Sequence, residues 1–177
     1  MTFFNPRISP LAGAIWALGF GVLGCRHEEK AQQVSVDAGP FLGPLAPADQ
    51  VRVLPASEGA NVASIVRVAR DQAKADGREL LVYVGATWCE PCRHFHEAAS
   101  RGDLDKVFPN LTLIEFDLDK DRDRLRAAGY AMSMIPFFSV PKPDGTASDR
   151  NMEGSVKGER AVADMAPRLR ALLVPGG

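Results

Sequence analysis

Two cysteines separated by two residues, Cys89 and Cys92, follow a short apolar run and a brief loop. Cysteines at i and i+3 share one helical turn, so their sulfurs can be joined or separated without moving the backbone. Unpaired N–H groups and the positive end of the helix dipole favour a thiolate at the first of the two. We therefore predict that Cys89 is the exposed attacking nucleophile. Cys92, one turn further along, is the resolving cysteine, and Trp88 shields the pair.

Two other uses of a Cys-x-x-Cys pair stay open at this point. It can form half of a zinc site, or a disulfide with a purely structural role. The chain has three cysteines and three histidines, so a second cysteine pair is missing. His96, four residues after Cys92, can join a metal site, but we interpret both His94 and His96 as solvent-facing. We predict a redox pair with no metal and no cofactor.

The surrounding pattern predicts alternating helices and strands. Asn61 and Gly77 are expected to bound the first helix, as its N-cap and its C′ residue. Proline inside the last predicted helix, Pro167, is expected to kink that helix or restart it. This alternation is typical of an α/β layered sheet with crossover helices. The predicted elements are a helix over 62–73, a strand at 79–84, a helix that Cys89 opens, a strand at 111–117, a helix over 121–128, strands at 136–140 and 150–153, and a helix over 157–173, with a turn at 143–145.

The motif Trp88-Cys89-Glu90-Pro91-Cys92 after a strand, with Ile135-Pro136 some forty residues later, resembles the thioredoxin superfamily. The resemblance covers roughly residues 60–173. It implies a thioredoxin-like fold, a central mixed β-sheet flanked by helices. It also implies that Pro136 follows a cis peptide bond and faces the disulfide, and that the backbone of Ile135 binds an extended substrate segment. We place Trp88, Glu90 and Pro91 with Ile135 in the substrate-binding surface.

One position departs from the family pattern. Thioredoxin carries a buried aspartate six residues before the first cysteine, where it handles the proton of the second thiol, and this chain has Tyr83 there. Glu115, in an apolar run on a neighbouring strand, is a candidate replacement as proton acceptor, as a buried carboxylate with a raised pKa. The alternative is that Glu115 faces water at the edge of the sheet.

The first 24 residues have the pattern of a secretory signal peptide. Arg7 is their single charge, and an uncharged apolar stretch over 8–23 follows it. The stretch ends in Val22-Leu23-Gly24-Cys25, which resembles the lipobox of bacterial lipoproteins, so we predict that Cys25 is lipidated. The alternatives are an uncleaved signal anchor and a buried core helix. The lipoprotein pattern implies a domain held in the bacterial cell envelope and facing the periplasm.

Proline and glycine at short intervals characterise the next segment. We interpret residues 25–58 as the lipidated cysteine and a flexible linker, and residues 59–177 as the thioredoxin-like domain. The alternative for the end of the linker is a short strand over 50–54 packed on the edge of the domain.

Charge and the active-site dipeptide bear on function. With 21 basic and 22 acidic residues, the chain lacks the positive excess that non-specific nucleic-acid binding requires. Glu90 is expected to disfavour the Cys89 thiolate, and Pro91 matches thioredoxin, so we predict a membrane-anchored reductase of disulfides in secreted or periplasmic proteins. Its partners would be disulfide-containing or dithiol proteins and a membrane electron donor or acceptor. The alternatives are an oxidase or isomerase of the same fold, and a non-enzymatic module that binds a partner or a copper ion.

Overall fold

The computed structural model describes residues 49–174. The predicted signal peptide, Cys25 and the linker up to residue 48 lie outside them. Helices and strands alternate along the described residues. They are β1 (Arg52–Pro55), α1 (Val62–Ala75), β2 (Glu79–Gly85), α2 (Glu90–Ser100), β3 (Leu111–Asp117), α3 (Leu118–Ala127), β4 (Phe137–Pro141), β5 (Ala147–Glu153) and α4 (Ala161–Leu173).

The strands form one mixed sheet in the order β1-β3-β2-β4-β5. Strand β3 runs parallel to both β1 and β2. Strand β4 runs antiparallel to β2 and to β5. The predicted α/β architecture with a central mixed sheet is therefore confirmed.

Strand β2 separates two apolar cores. Leu80, Val82 and Val84 belong to one of them, with the buried faces of α1 and α3. Leu81 and Tyr83 belong to the other, with α2 and α4. Because successive strand residues point to opposite faces, this alternation gives three layers with helices on both sides of the sheet.

The N-terminal boundary of the domain differs from our main interpretation. Residues 52–55 were assigned to the linker, but they form β1, which pairs with β3 from Arg52↔Thr112 to Pro55↔Glu115. The alternative, an edge strand, is the one observed. Polar contacts hold its start: the Val51 N–H donates to the Asp105 carboxylate at 2.9 Å. So short a strand depends on such tertiary contacts rather than on its own sequence pattern.

Two helices differ from the predicted bounds. Helix α3 begins at Leu118, three residues earlier than expected, because the Asp117 side chain accepts the N–H of Asp119 and caps it. Helix α4 begins at Ala161 and continues through Pro167, so of the two predicted outcomes, a kink or a restart, the restart is wrong. Within residues 49–174, no helix is both long and apolar enough to span a bilayer.

The turn between β4 and β5 packs tightly against α1. Asp144 accepts hydrogen bonds from the backbone and hydroxyl of Thr146, as the predicted turn requires. Gly145 has φ +84°, and a Cβ there would lie 1.9 Å from the Ala63 carbonyl oxygen. Its own carbonyl accepts the Tyr130 hydroxyl at 2.8 Å. Only glycine satisfies both the backbone angle and the contact.

We expect Gly145→Ala to lower the free energy of unfolding by about 3 kcal/mol or more, because strain at positive φ adds to a backbone clash. The matched control is Gly77→Ala, where φ is +68° and nothing lies within 4 Å of the added Cβ. Backbone strain alone costs about 1–2 kcal/mol there. Urea unfolding of both variants measures the difference, and equal losses would contradict the packing argument.

Candidate active site

The cysteine pair sits at the start of α2, as predicted. Cys89 is the N-cap residue in an extended conformation, and Pro91 lies in the first turn, where its missing N–H costs little. Cys89 and Cys92 form a disulfide with their Cα atoms 5.2 Å apart. The Cys92 N–H donates to the Cys89 sulfur at 3.3 Å. The helix N-terminus therefore presents a backbone N–H to this sulfur, which is the geometry that favours a thiolate.

Burial of the pair differs from expectation. Cys89 was predicted to be exposed, but it is only 4% exposed, against 2% for Cys92. The Cys89 sulfur is bonded to that of Cys92 in the first turn of α2. Trp88 is 64% exposed, and its indole N–H donates to Asp119 at 2.8 Å. Trp88 is thus held at the surface by its hydrogen bond to α3.

A surface groove lies on one side of this region. The Ile135–Pro136 peptide bond is cis, and the Pro136 carbonyl accepts the Gly154 N–H at 2.8 Å. The groove has a volume of about 360 Å³ and brings Trp88 and Ile135 together. Pro91 is buried and Glu90 half-buried in the first turn of α2, and neither lines the groove.

Glu153 orders the loop before the cis bond. Its carboxylate accepts the backbone N–H groups of Ser133 and Met134, both at 2.9 Å. Arg168 on α4 donates to the Glu153 and Gly154 carbonyls at 2.7 and 2.8 Å. Neither side chain was singled out from the sequence, since Glu153 lies 19 and 20 residues from its partners in the chain.

A second cavity of about 470 Å³ lies beside Cys92. Cys92, Tyr83, His96 and Glu115 all contribute to its wall. Glu115 is half-buried on β3, which is paired on both sides, so Glu115 is not at the edge of the sheet. Its register partner on β2 is Tyr83, and both point toward α2. The structure therefore places Glu115 on the same side as Cys92.

His96 corrects a second expectation. We interpreted it as solvent-facing, but it is half-buried, and its Nε2 lies 2.5 Å from Glu115 Oε1. The hydrogen bond to Glu115 raises the pKa of His96 above its ordinary value, against the opposing effect of burial. His94, which we also expected to face solvent, is half-buried as well, and its Nε2 lies 3.9 Å from Glu90 Oε1 on the same helix. The sequence signal for His96 is its spacing of four residues from Cys92, which puts both on one helix face.

Tyr83 brings a hydroxyl into the same region. It is fully buried among aromatic rings, with Phe138 and Phe95 at centroid distances of 4.9 and 5.4 Å. Its hydroxyl has no hydrogen-bond partner among the described residues. A Cβ at Gly85 would lie 2.7 Å from this oxygen and 3.6 Å from Cys92 Cβ, so the hydroxyl is close to Cys92. Burial raises the pKa of Tyr83 far above its ordinary value, and the charge of Glu115 adds to this.

Metal ligands are not clustered in the part of the chain that the structure describes. No group of three or more His, Cys, Asp or Glu side chains there is arranged to hold a metal ion. Cys25, the predicted lipidation site, lies outside the described residues.

Comparison with known proteins yields distant similarities. No family model matches the sequence. A curated relative, "Probable nucleoredoxin 3" from Oryza sativa subsp. japonica, is 26% identical over 95 residues. The match covers 52% of this chain and 20% of the relative, so it spans a fifth of that protein's length.

Solved thioredoxin structures are also similar at low identity. Thioredoxin O1 from Arabidopsis thaliana in the oxidised state is 18% identical, with a TM-score of 0.42 over 70% of this chain and 95% of its own. Thioredoxin from Trichomonas vaginalis is 22% identical, with a TM-score of 0.41 over 70% and 96%. The sheet order, the Cys-x-x-Cys pair at the start of α2 and the cis proline before β4 make this a thioredoxin-like fold with a cysteine pair at disulfide distance.

Proposed function

We propose that this protein is a thiol–disulfide oxidoreductase that uses Cys89 and Cys92 as its redox pair. The observation that carries the proposal is the bond between the two sulfurs across the first turn of α2, where one of them also receives a backbone N–H. The groove beside Trp88 and Ile135 supports it, because an extended segment of a protein substrate can bind there.

The reaction is a pair of exchange steps. The Cys89 thiolate attacks a substrate disulfide, forms a mixed disulfide and releases one substrate thiolate. Cys92 then loses its proton and attacks the Cys89 sulfur, which releases the second substrate thiolate and closes the Cys89–Cys92 disulfide. Two electrons pass from the cysteine pair to the substrate. We assign Pro136 and Ile135 to positioning the substrate backbone, and Glu115 to accepting the Cys92 proton.

We further propose that the protein works as a reductant. Glu90 lies in the first helical turn after Cys89, where a negative charge disfavours a thiolate and so makes the disulfide form less oxidising. A reductant outside the cytoplasm needs electrons from a membrane donor, because that compartment is kept oxidising.

The location is proposed from the sequence of residues 1–25. A charged start, an apolar stretch and the Val22-to-Cys25 segment support a lipid-anchored protein in a bacterial envelope, with its domain facing the periplasm. Its substrates would then be disulfides of secreted or periplasmic proteins.

Substituting each cysteine in turn tests the assignment of roles. In a Cys25→Ser background, which leaves Cys89 and Cys92 as the remaining cysteines, Cys92→Ser should trap a covalent complex with insulin as the disulfide substrate. Cys89→Ser should trap none, because the attacking thiolate is gone. Non-reducing gel electrophoresis and mass spectrometry give the result. A complex that forms through Cys92 in the Cys89→Ser variant would reverse the roles.

The direction of electron flow follows from the reduction potential of the pair. We expect a value near the thioredoxin end of the scale, about −270 mV, rather than the strong-oxidant end, about −120 mV. Equilibration of the full chain in glutathione or dithiothreitol buffers, followed by alkylation and mass analysis, gives the potential. A value near the oxidant end would make the protein a disulfide donor. The absence of a reversible two-electron transition would rule out the oxidoreductase.

Membrane attachment through Cys25 can be tested in a bacterial host. We expect the full chain in the membrane fraction with a mass shift from lipid, and Cys25→Ser in the soluble periplasmic fraction. Cys89→Ser is the matched control, since it also removes one thiol but leaves the proposed lipidation site intact. If Cys25→Ser carries no change in mass or fraction, the chain is not lipidated at that residue.

A further inference from the structure

The resolving cysteine faces a set of polar groups that the exchange steps above use only in part. Cys92 and His96 lie one turn apart on α2, and Glu115 reaches the same cavity from β3. His96 Nε2 and Glu115 Oε1 are 2.5 Å apart. A histidine–carboxylate pair thus stands in the wall of the cavity that Cys92 also lines.

Sheet register explains why the pair lies behind Cys92. Leu111 and Leu113 on β3 point into the core beneath α2 and α4, and Glu115 continues that face. Glu115 lies where the apolar core ends and the cavity begins, so its carboxylate is half-buried. A partly buried charge costs free energy unless it is paired, so this carboxylate needs a hydrogen-bond partner. His96 supplies it from the helix that carries both cysteines. The bond therefore links the sheet to the redox helix.

Tyr83 adds a donor to this arrangement. Its hydroxyl is buried, lines the cavity and has no partner within residues 49–174, although buried hydroxyls are normally hydrogen-bonded. The hydroxyl stays protonated across the working pH range because burial raises its pKa. A water in the cavity, or the sulfur of Cys92 once the disulfide opens, would satisfy it.

We propose that His96 is a positioning residue for proton transfer at Cys92: it holds the Glu115 carboxylate at the cavity behind the resolving cysteine and retains the proton that Cys92 gives up. The inference rests on the proposed exchange reaction and deepens it. Glu115 receives the proton from the Cys92 thiol, directly or through one water in the cavity, and His96 acts through Glu115.

One proton moves from the Cys92 thiol to the His96–Glu115 pair in this step. Before it, Cys92 is a thiol and the pair is a neutral imidazole beside a carboxylate. After it, Cys92 is a thiolate and the pair is an imidazolium beside a carboxylate. The thiolate attacks the Cys89 sulfur of the mixed disulfide, and the departing substrate thiolate takes up the proton from the pair or from water. Tyr83 lines the same cavity as Cys92, and its hydroxyl is without a hydrogen-bond partner among the described residues.

The other charged side chains around the His96–Glu115 pair balance in sign. Apart from His96, Glu115, Tyr83 and Cys92, three cationic and three anionic side chains line the cavity. Four of them form ion pairs, Lys120 with Glu58 at 3.3 Å and Arg124 with Asp121 at 2.8 Å. The six side chains are Arg93 on α2, Lys120, Asp121 and Arg124 at α3, Asp117 on β3 and Glu58 before α1.

The expected pH dependence follows from the hydrogen bond. The hydrogen bond to Glu115 raises the pKa of His96 above 6.5. Below this raised pKa, His96 already carries a proton, so the His96–Glu115 pair cannot accept the one from Cys92. The rate at which Cys92 resolves a mixed disulfide should therefore rise as pH increases through this raised pKa. In His96→Gln that rise should disappear, which leaves the titration of the Cys92 thiol itself.

The test compares His96→Gln with His94→Gln in the full chain. Cys89 is first charged with a chromogenic thiol, 2-nitro-5-thiobenzoate, and its release by Cys92 is followed by stopped-flow absorbance from pH 5.5 to 9. We expect about tenfold slower release at pH 7.5 for His96→Gln, a smaller effect than the roughly 10²–10⁴-fold of a direct general acid or base, because His96 acts through Glu115. His94→Gln changes a half-buried histidine on the same helix that lies beside Glu90 and not Glu115, so it should keep the wild-type profile. Glu115→Gln should slow release as His96→Gln does.

Other outcomes distinguish a failure of the His96 inference from a failure of the proposed exchange reaction. If His96→Gln retains the wild-type rate and pH profile, the inference is wrong while the exchange reaction stands. If the wild-type protein forms the mixed disulfide at Cys89 but Cys92 never releases the probe, the proposed function fails, and this inference with it. Rescue of the rate by added imidazole in His96→Gln would support a proton role over a purely structural one.

Unfolding measurements check that the bond exists in solution. A histidine whose pKa is raised by folding stabilises the protein fully below its unfolded value of 6.5, and that stability is lost as pH rises through the folded pKa. The loss of unfolding free energy in His96→Gln should thus be larger at pH 5.5 than at pH 9. An equal loss at both values would contradict the His96–Glu115 bond and overturn the inference.

Discussion

The placement of the whole site depends on the burial of β2 on both of its faces. This strand pairs with β3 on one side and with β4 on the other, and its side chains enter both apolar cores. Each such side chain contributes about 1.5–3 kcal/mol when it leaves water. A strand held this way cannot slip, because a shift of one residue would exchange its two faces. The loop after Gly85 and the cysteine pair at the start of α2 are therefore fixed in position.

The environment of the pair is divided into two unlike sides. A groove with Trp88 and Ile135 opens at the surface, and its loop is held by the Glu153 carboxylate. Behind Cys92 lies a cavity with polar walls, where β3 supplies Glu115 and α2 supplies His96. In the proposed reaction, the substrate segment binds in the groove. The proton of the Cys92 thiol is transferred on the opposite side, in the cavity. Helix α2 contributes Cys92 and His96 to the cavity, and Trp88, just before the N-cap residue of α2, lines the groove.

Local pattern was sufficient for most of the elements, because their side-chain period is dictated by burial. Helix α1 with its Asn61 cap and strand β3 fall at the predicted residues. Strand β1 was assigned to a linker, since four residues with a terminal proline have no period of their own and gain their structure from β3. The early start of α3 has a local cause, the Asp117 cap. The spacing of apolar residues alone does not predict it.

Chemistry that is local along the chain can be predicted from residue types and their spacing. Two cysteines at i and i+3 lie within disulfide reach because one helical turn sets the distance between the sulfurs, and the proline in the first turn and Ile135-Pro136 complete a pattern that resembles the thioredoxin superfamily. Tertiary structure alone decided which distant groups meet that motif. His96 and Glu115 are 19 residues apart, and they come together because parallel pairing turns Glu115 toward the helix that carries Cys92. Such a contact depends on sheet register and helix packing, and neither is encoded in the period of a single segment.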